Sequence, residues 1–298
     1  MPSKEHQDVA NLLRRAQEVT DPIPLEVRRN GFERMASRRP VPDDVTVEPV
    51  EANGVPSELL TPPGADPKRV ILYVHGGGYS MGSRNSHREM AARVSKAAQV
   101  PVLLVGYRLA PEFSHPAALD DVTAGFQFLL SQGFDPKRIA LVGDSAGGGL
   151  AVAALVATRD AGLSLPACLA CLSPWVDLTL ESARTMTEVV SDPVNTIDGL
   201  SEMVGLYIGD SPPNAPSISP LFADLTGLPP MLVQVGTAEL LLADARLLVA
   251  YAQAAGVKAE LDEYENLIHV FQHLAGGSKE AALAVGRLGS FISEHTSV

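Results

Sequence analysis

The chain has no block of like charge, no apolar run near membrane-spanning length, no internal repeat and no low-complexity tract. Each absence closes off a class of function. There is no basic arm, and 35 Asp and Glu stand against 23 Lys and Arg for a formal net charge of −12, so the surface repels phosphate backbones and anionic membranes. Neither nucleic acid nor a membrane is an expected partner. The first residues, MPSKEHQDVANLLRRAQEVT, place charges where a signal peptide needs an apolar segment, and a soluble cytoplasmic protein is expected. Cysteine is scarce too. Cys168 and Cys171 are spaced C-x-x-C within PACLACLSPW, a pattern that raises a redox pair or half a metal site. The apolar run around them reads as a buried strand, on which residues three apart face opposite sides, so both are expected to be core cysteines.

At 298 residues and 46% hydrophobic content, the chain can form one large single-core domain, with or without a smaller excursion. Residues 4–18 and roughly 21–36 have helical spacing, with Val9, Leu12, Leu13 and Ala16 on one stripe. VTVEPVEANGVPSELLTPPG then alternates about Asn53-Gly54, a dipeptide that favours a tight hairpin. From there apolar strands alternate with helical segments: RVILYVH, PVLLVGYR, RIALVGDS, ACLACLSP, PMLVQVG and AELDEYE. Apolar runs without alternation imply burial on both faces, hence an α/β fold with a mostly parallel sheet flanked by helices. One interval breaks the rhythm: about fifty residues separate SPWVDL from GLPPMLVQVG, too many for an ordinary connection. Within it ARTMTEVV and IDGLSEMVGLYIG have helical spacing, and the interval is expected to join the N-terminal helices in a lid above the sheet.

YVHGGGYSMGS, residues 73–83, sets three consecutive glycines directly after an apolar run. Glycine loses the most conformational freedom on ordering, so something must offset that cost. GDSAG, residues 143–147, fits G-x-S-x-G between a strand and a small-residue helix. Two readings of Ser145 are open on that pattern alone: a nucleophile on a sharp strand-to-helix turn, or a plain helix N-cap. The glycine loop favours the first, because acyl transfer needs fixed backbone N–H groups at the developing oxyanion; Gly77, Gly78 and Ala146 are the candidates. A phosphate cradle is the rival for such a loop. G-x-x-x-x-G-K-[ST] is absent, and no G-x-G-x-x-G sits between a strand and an acid placed for a ribose.

A serine hydroxyl needs a base to take its proton, and the base needs an acid to hold its tautomer. His269, in YENLIHVFQHL, follows the last strand at the expected C-terminal edge of the sheet. His273 lies one turn further on, but no third metal ligand is patterned nearby, so it is read as structural. His6, His87 and His295 read as solvated, and His75 and His115 as loop-organising residues. VQVGTAELLLADARLL offers Glu239 in a loop and Asp244 within the next helix; Glu239 is the preferred acid. The chain order Ser, acid, His is the one this chemistry takes on an α/β sheet. Arg108, Glu112, Asp120 and Asp144 read as loop-holding polar residues. The reaction needs no metal and no organic cofactor.

HGGGYSMGS, GYRLAPEFSHPAALDD, GDSAGGGLA, SPWVDL and HVFQ occur in an order and spacing that, from about residue 70 to 273, resembles the hormone-sensitive lipase family of α/β-hydrolases, in its bacterial carboxylesterase branch. The resemblance implies an α/β-hydrolase fold with an eight-stranded, mostly parallel central sheet. It implies a catalytic domain of residues 43–180 and 219–298, and a helical cap made of 1–42 and 181–218. The activity it implies is hydrolysis of short to medium-chain acyl esters by Ser145, His269 and an acid, through an acyl-enzyme, with Gly77, Gly78 and Ala146 holding the oxyanion. In some relatives two copies pair through the edge of the last strand, which implies a homodimer of that kind. The family's acid opens a D-P-L segment where this chain has Glu239-Leu240-Leu241, so Asp244 stays the alternative. Met203, Leu206 and Tyr207 are cap candidates for the substrate pocket, although their helical spacing equally fits core packing. An amidase or deacetylase would share these residues; a non-catalytic ligand receptor can use the same fold without the triad histidine, and the presence of His269 speaks for an enzyme. The base must be neutral, so activity is expected to fall with acid near about pH 6.5.

Overall fold

In the computed structural model, which describes residues 2–17, 23–36 and 38–297, the apolar strands assemble into one eight-stranded sheet. The expected hairpin opens it: β1 (Thr46–Ala52) and β2 (Val55–Thr61) pair antiparallel about Asn53 and Gly54, whose φ values of 53° and 86° suit this turn. β3 (Val70–Val74), β4 (Val102–Val105), β5 (Ile139–Asp144), β6 (Cys168–Leu172), β7 (Met231–Gly236) and β8 (Ala259–Tyr264) then run parallel, in the order β1-β2-β4-β3-β5-β6-β7-β8.

Parallel neighbours need crossover connections, and the helices that supply them cover both faces. Two cores result, one per face. Val70, Leu72 and Val74 of β3 pack with Phe126 of α4 (Ala117–Ser131), Leu150 of α5 (Ala146–Asp160) and Leu248 of α8 (Leu242–Ala254). Ile71 and Tyr73 turn the other way, to Met90 and Val94 of α3 (Arg84–Ala98) and to Leu288 and Ile292 of α9 (Lys279–Thr296). Cys168 and Cys171 fall in opposite cores as free, buried thiols, as their spacing predicts. Burial pushes both thiols up, Cys168 to about 12, which makes them inert.

Above the strand ends lie α1 (Lys4–Gln17) and α2 (Leu25–Ala36), with α6 (Glu181–Arg184) and α7 (Ile197–Tyr207) from the long interval. Residues 18, 21 and 22 of the expected N-terminal helices lie outside the described residues. Ala10 of α1 packs on Leu267, Ile268 and Phe271 beyond β8. α2 buries no residue and is held by polar contacts instead. ARTMTEVV is not an extended helix, a correction to the spacing argument: α6 is a single turn and further turns follow it. Thr185 and Thr187 turn their hydroxyls back onto the carbonyls of Ser182 and Arg184, and β-branched residues crowd a helix, so local bonding wins over periodicity. No helix among the described residues is long and apolar enough to cross a membrane.

Candidate active site

The turns that follow β5, β6, β7 and β8 meet at the C-terminal edge of the sheet, where open α/β sheets gather ligand-binding groups. Ser145 sits between β5 and α5 at φ 52° and ψ −123°, a left-handed conformation that a side chain rarely adopts. Its surroundings over-determine it. The Ser145 N–H donates to Leu172 O at 2.8 Å, and its carbonyl accepts from the N–H groups of Gly148, Gly149 and Trp175. The side chain makes no capping hydrogen bond to α5, so the N-cap reading does not describe it. Oγ instead lies 2.9 Å from His269 Nε2.

His269 is brought there by the turn between β8 and a short 3-10 helix, Phe271–Leu274. Its Nδ1 lies 2.6 Å from Glu239 Oε2. Glu239 is fully buried, and its other oxygen accepts from Ser173 Oγ at 2.7 Å and from the Gly236 N–H at 2.8 Å. A carboxylate on Nδ1–H fixes the tautomer whose Nε2 lone pair faces Ser145. Burial disfavours the imidazolium, but the charge and hydrogen bond of Glu239 outweigh it, and the His269 pKa lies above its ordinary value.

Asp244, the alternative acid, is equally buried and is used elsewhere. Its oxygens accept from the N–H groups of Val176 and Asp177, both at 2.9 Å, and from the Ser182 hydroxyl. Burial pushes its pKa up to about 7 against those donors. It ties SPWVDL and α6 to α8 and makes no contact with His269.

Gly77 and Gly78 have φ values of 119° and 60°. A side chain at Gly77 would strike the Met81 backbone, and one at Gly78 would strike Met203. Neither their N–H groups nor that of Ala146, the first residue of α5, has a hydrogen-bond partner among the described residues. Three free donors beside a serine hydroxyl explain the consecutive glycines: the backbone has to be bare here.

A cavity of about 290 Å³ opens over these groups, lined by Gly77, Gly78, Ser145, Trp175, Ile268 and His269 below. Val9 and Leu13 of α1, Phe32 and Met35 of α2, and Leu200 and Met203 of α7 line it from above. Leu206 and Tyr207 do not line it, contrary to expectation. Leu200, Met203 and Tyr207 share the inward stripe of α7, but the cavity ends before Tyr207, whose ring stacks on Tyr79 at 3.9 Å between centroids; Leu206 packs on the core from the side. A larger, shallower groove of about 470 Å³ around Pro40, Arg93 and Lys96 contains none of the candidate catalytic residues.

Two of the histidines read as solvated are buried: His6 on the Ala10 face of α1, and His87 on α3. His87 shares spacing i, i+3, i+4, i+7 with Met90, Ala91 and Val94, so the pattern that would have buried it is in the sequence. His295 is half-buried against Phe291. His75 Nδ1 donates to Gly76 O at 2.8 Å within the glycine loop, whereas His115 uses its backbone N–H, which donates to Tyr207 O, and sets its ring edge-on to that of Tyr207. Arg108 grips Asp121 rather than Asp120, and Glu112 pairs with Arg29. Sequence reasoning missed Ser173. Its hydroxyl donates to Glu239 and accepts from the Val270 N–H at 3.1 Å, so one side chain sets both the acid and the base loop. Its only signal is its place in SPWVDL, immediately after β6.

A family model described as alpha/beta hydrolase fold matches residues 71–273. The chain is similar to an acetyl-hydrolase of Streptomyces hygroscopicus, 42% identical over 234 residues that cover 78% of each chain. It is similar to an esterase of Acinetobacter venetianus, 35% identical over 248 residues, covering 83% of this chain and 82% of that one. Among solved structures, an esterase from the bacterial hormone-sensitive lipase family matches with a TM-score of 0.92 at 43% identity, covering 99% of both chains.

Proposed function

The chain belongs to the α/β-hydrolase family, in its bacterial hormone-sensitive lipase branch, and from that premise we propose how it carries out its reaction. It is a carboxylic ester hydrolase. The observation that carries the proposed mechanism is the contact chain from Ser145 Oγ through His269 to Glu239, at 2.9 and 2.6 Å. Neutral His269 takes the hydroxyl proton at Nε2 while Ser145 Oγ attacks the acyl carbon. The N–H groups of Gly77, Gly78 and Ala146 donate to the oxyanion, and Glu239 stabilises the imidazolium. His269 then returns the proton to the departing alcohol, leaving Ser145 acylated, and water repeats the cycle to release the acid.

We assign residues 1–42 and 181–218 to a cap and 43–180 and 219–298 to the catalytic domain, a division supported by the side chains that α1, α2 and α7 lend to the cavity roof. A cavity of about 290 Å³ lies at the small end of ligand sites and favours short to medium acyl chains. The relative named acetyl-hydrolase fits the short end of that range and keeps deacetylation as the second reading. The test is a rate panel on p-nitrophenyl esters of rising chain length beside matched amides, with organophosphate labelling of Ser145. One label per chain, and loss of roughly 10⁴-fold or more of the rate in Ser145→Ala at unchanged folding, are expected. Full activity in Ser145→Ala would end the proposal, and a preference for amides would move it to the second reading.

A further inference from the structure

Asp144 precedes Ser145 at the end of β5, buried, with two imidazoles facing it. His87 Nε2 lies 3.4 Å from Asp144 Oδ2, and His273 Nε2 lies 3.9 Å from the same oxygen. Both distances exceed those of ordinary direct hydrogen bonds, about 2.7–3.2 Å. They suit atoms that share an ion, since two ligands each ~2.0–2.1 Å from a metal stand at most about 4.2 Å apart. The three ligand atoms all lie within 4.8 Å of one another, and since tetrahedral ligands ~2.1 Å from one ion stand about 3.4 Å apart, closing the set needs up to roughly 1.4 Å of side-chain movement.

The partners of these side chains leave the right atoms free. Tyr73 OH donates to the other Asp144 oxygen at 3.0 Å. His87 Nδ1 lies 2.8 Å from Ser86 Oγ, whose hydroxyl donates to Ser83 O at 2.9 Å. In the tautomer that donates Nδ1–H to Ser86, the His87 Nε2 lone pair is free for an ion beside Asp144, the outer-shell arrangement typical of metal-binding histidines. Arg39 lines the same cavity and opposes any cation, which disfavours weakly held Ca²⁺ or Mg²⁺. Two imidazoles and a carboxylate are the donor set of Zn²⁺ and its neighbours.

We propose that His87, Asp144 and His273 form a binding site for a divalent first-row transition ion, and that the bound ion inhibits the hydrolase. The three residues line the same cavity as Ser145 and His269, so the ion's remaining coordination positions occupy space that the ester needs. Its charge also opposes protonation of His269 during catalysis. The binding half of this proposal is tested without any readout of activity, and the inhibition half rests on the ester hydrolysis proposed above.

The full chain, stripped with a chelator, is titrated with Co²⁺ while visible absorption is followed, and with Zn²⁺ by calorimetry. One ion per chain is expected, with Zn²⁺ displacing Co²⁺. His87→Gln and His273→Gln should each weaken binding by roughly tenfold or more, while His269→Gln, outside the set, changes it by less than about threefold. Because His273 is the less buried of the two, His273→Gln carries the test if His87→Gln fails to fold. Zn²⁺ should inhibit p-nitrophenyl butyrate hydrolysis over the concentration range in which it binds, and His273→Gln should shift both together. No saturable one-to-one binding, equal affinity in the folded histidine variants, or loss of binding in His269→Gln would each overturn the site. Binding without inhibition would overturn the second half of the proposal.

Discussion

The floor and the roof of the cavity are held by different forces. Ser145 and Glu239 follow β5 and β7, whose residues are all buried, His269 follows the edge strand β8, and each is fixed by backbone or buried hydrogen bonds. In the roof α1 and α7 also pack through Ala10, Leu200 and Tyr207, but α2 buries no residue and rests on polar contacts near the surface: Arg28 pairs with Glu202 of α7, and Arg29 reaches Glu112 and the carbonyls of Ser80 and Ala110. Buried, satisfied hydrogen bonds escape screening, whereas exposed pairs are worth ~0–1 kcal/mol each and weaken with salt. The chemistry is therefore built rigid and the access to it adjustable. Asp192 is where the two meet, since its Oδ2 accepts from the Leu240 N–H at 2.9 Å, beside Glu239, while its carbonyl accepts from Gln17 of α1.

The sharpest way to break this contrast lies within the floor. Glu239→Gln should cost about 10²–10⁴-fold in kcat with little loss of stability, because the tautomer and the imidazolium lose their partner. Asp244→Asn should do the reverse, keeping most of the rate but losing roughly 1–3 kcal/mol, because it disturbs a buried acceptor with three donors. Steady-state kinetics and urea unfolding on both variants decide it; an inactive, stable Asp244→Asn would reverse the assignment. A moderate effect is expected in the pH profile. On the proposed mechanism His269 works neutral, and its pKa is raised, so activity should be full at alkaline pH and fall on acidification with a midpoint above about 6.5. In the residual activity of Glu239→Gln the midpoint should move to lower pH, since burial then acts with less opposition. A midpoint that stays put would mean that Glu239 does not set it. The smallest effects belong to the roof. Arg29→Ala should raise KM severalfold at nearly constant kcat, and Glu202→Gln should change stability by less than ~1 kcal/mol, with both effects shrinking in high salt. A large kcat loss in Arg29→Ala would show that roof and floor are one unit.

The sequence carries the floor more plainly than the roof, for a physical reason. Strands buried on both faces leave long apolar runs, and the bare backbone around Ser145 and Gly77 leaves glycines, so β3 to β7 and the turn at Ser145 can be read directly. α7 is legible from its spacing, but which of its residues reach the cavity depends on where Tyr79 stands, and that is a tertiary fact. α6 shows the opposite failure, in which threonine hydroxyls compete with a helix that periodicity favours. His87 lay within reach of the same periodicity but was outweighed by its polar side chain. Residue frequency alone favours Asp244, whereas position relative to the strand end favours Glu239, the carboxylate that meets His269.

Ser173 has a consequence for how such a protein can drift. One hydroxyl touches loops that begin at opposite ends of a thirty-residue segment, between Glu239 and Val270. Substitutions in either loop can be accommodated one at a time while that shared reference point persists. Once it is gone, two members of the machinery lose alignment together, so a saturation screen for function should score position 173 as intolerant, although it never meets the ester.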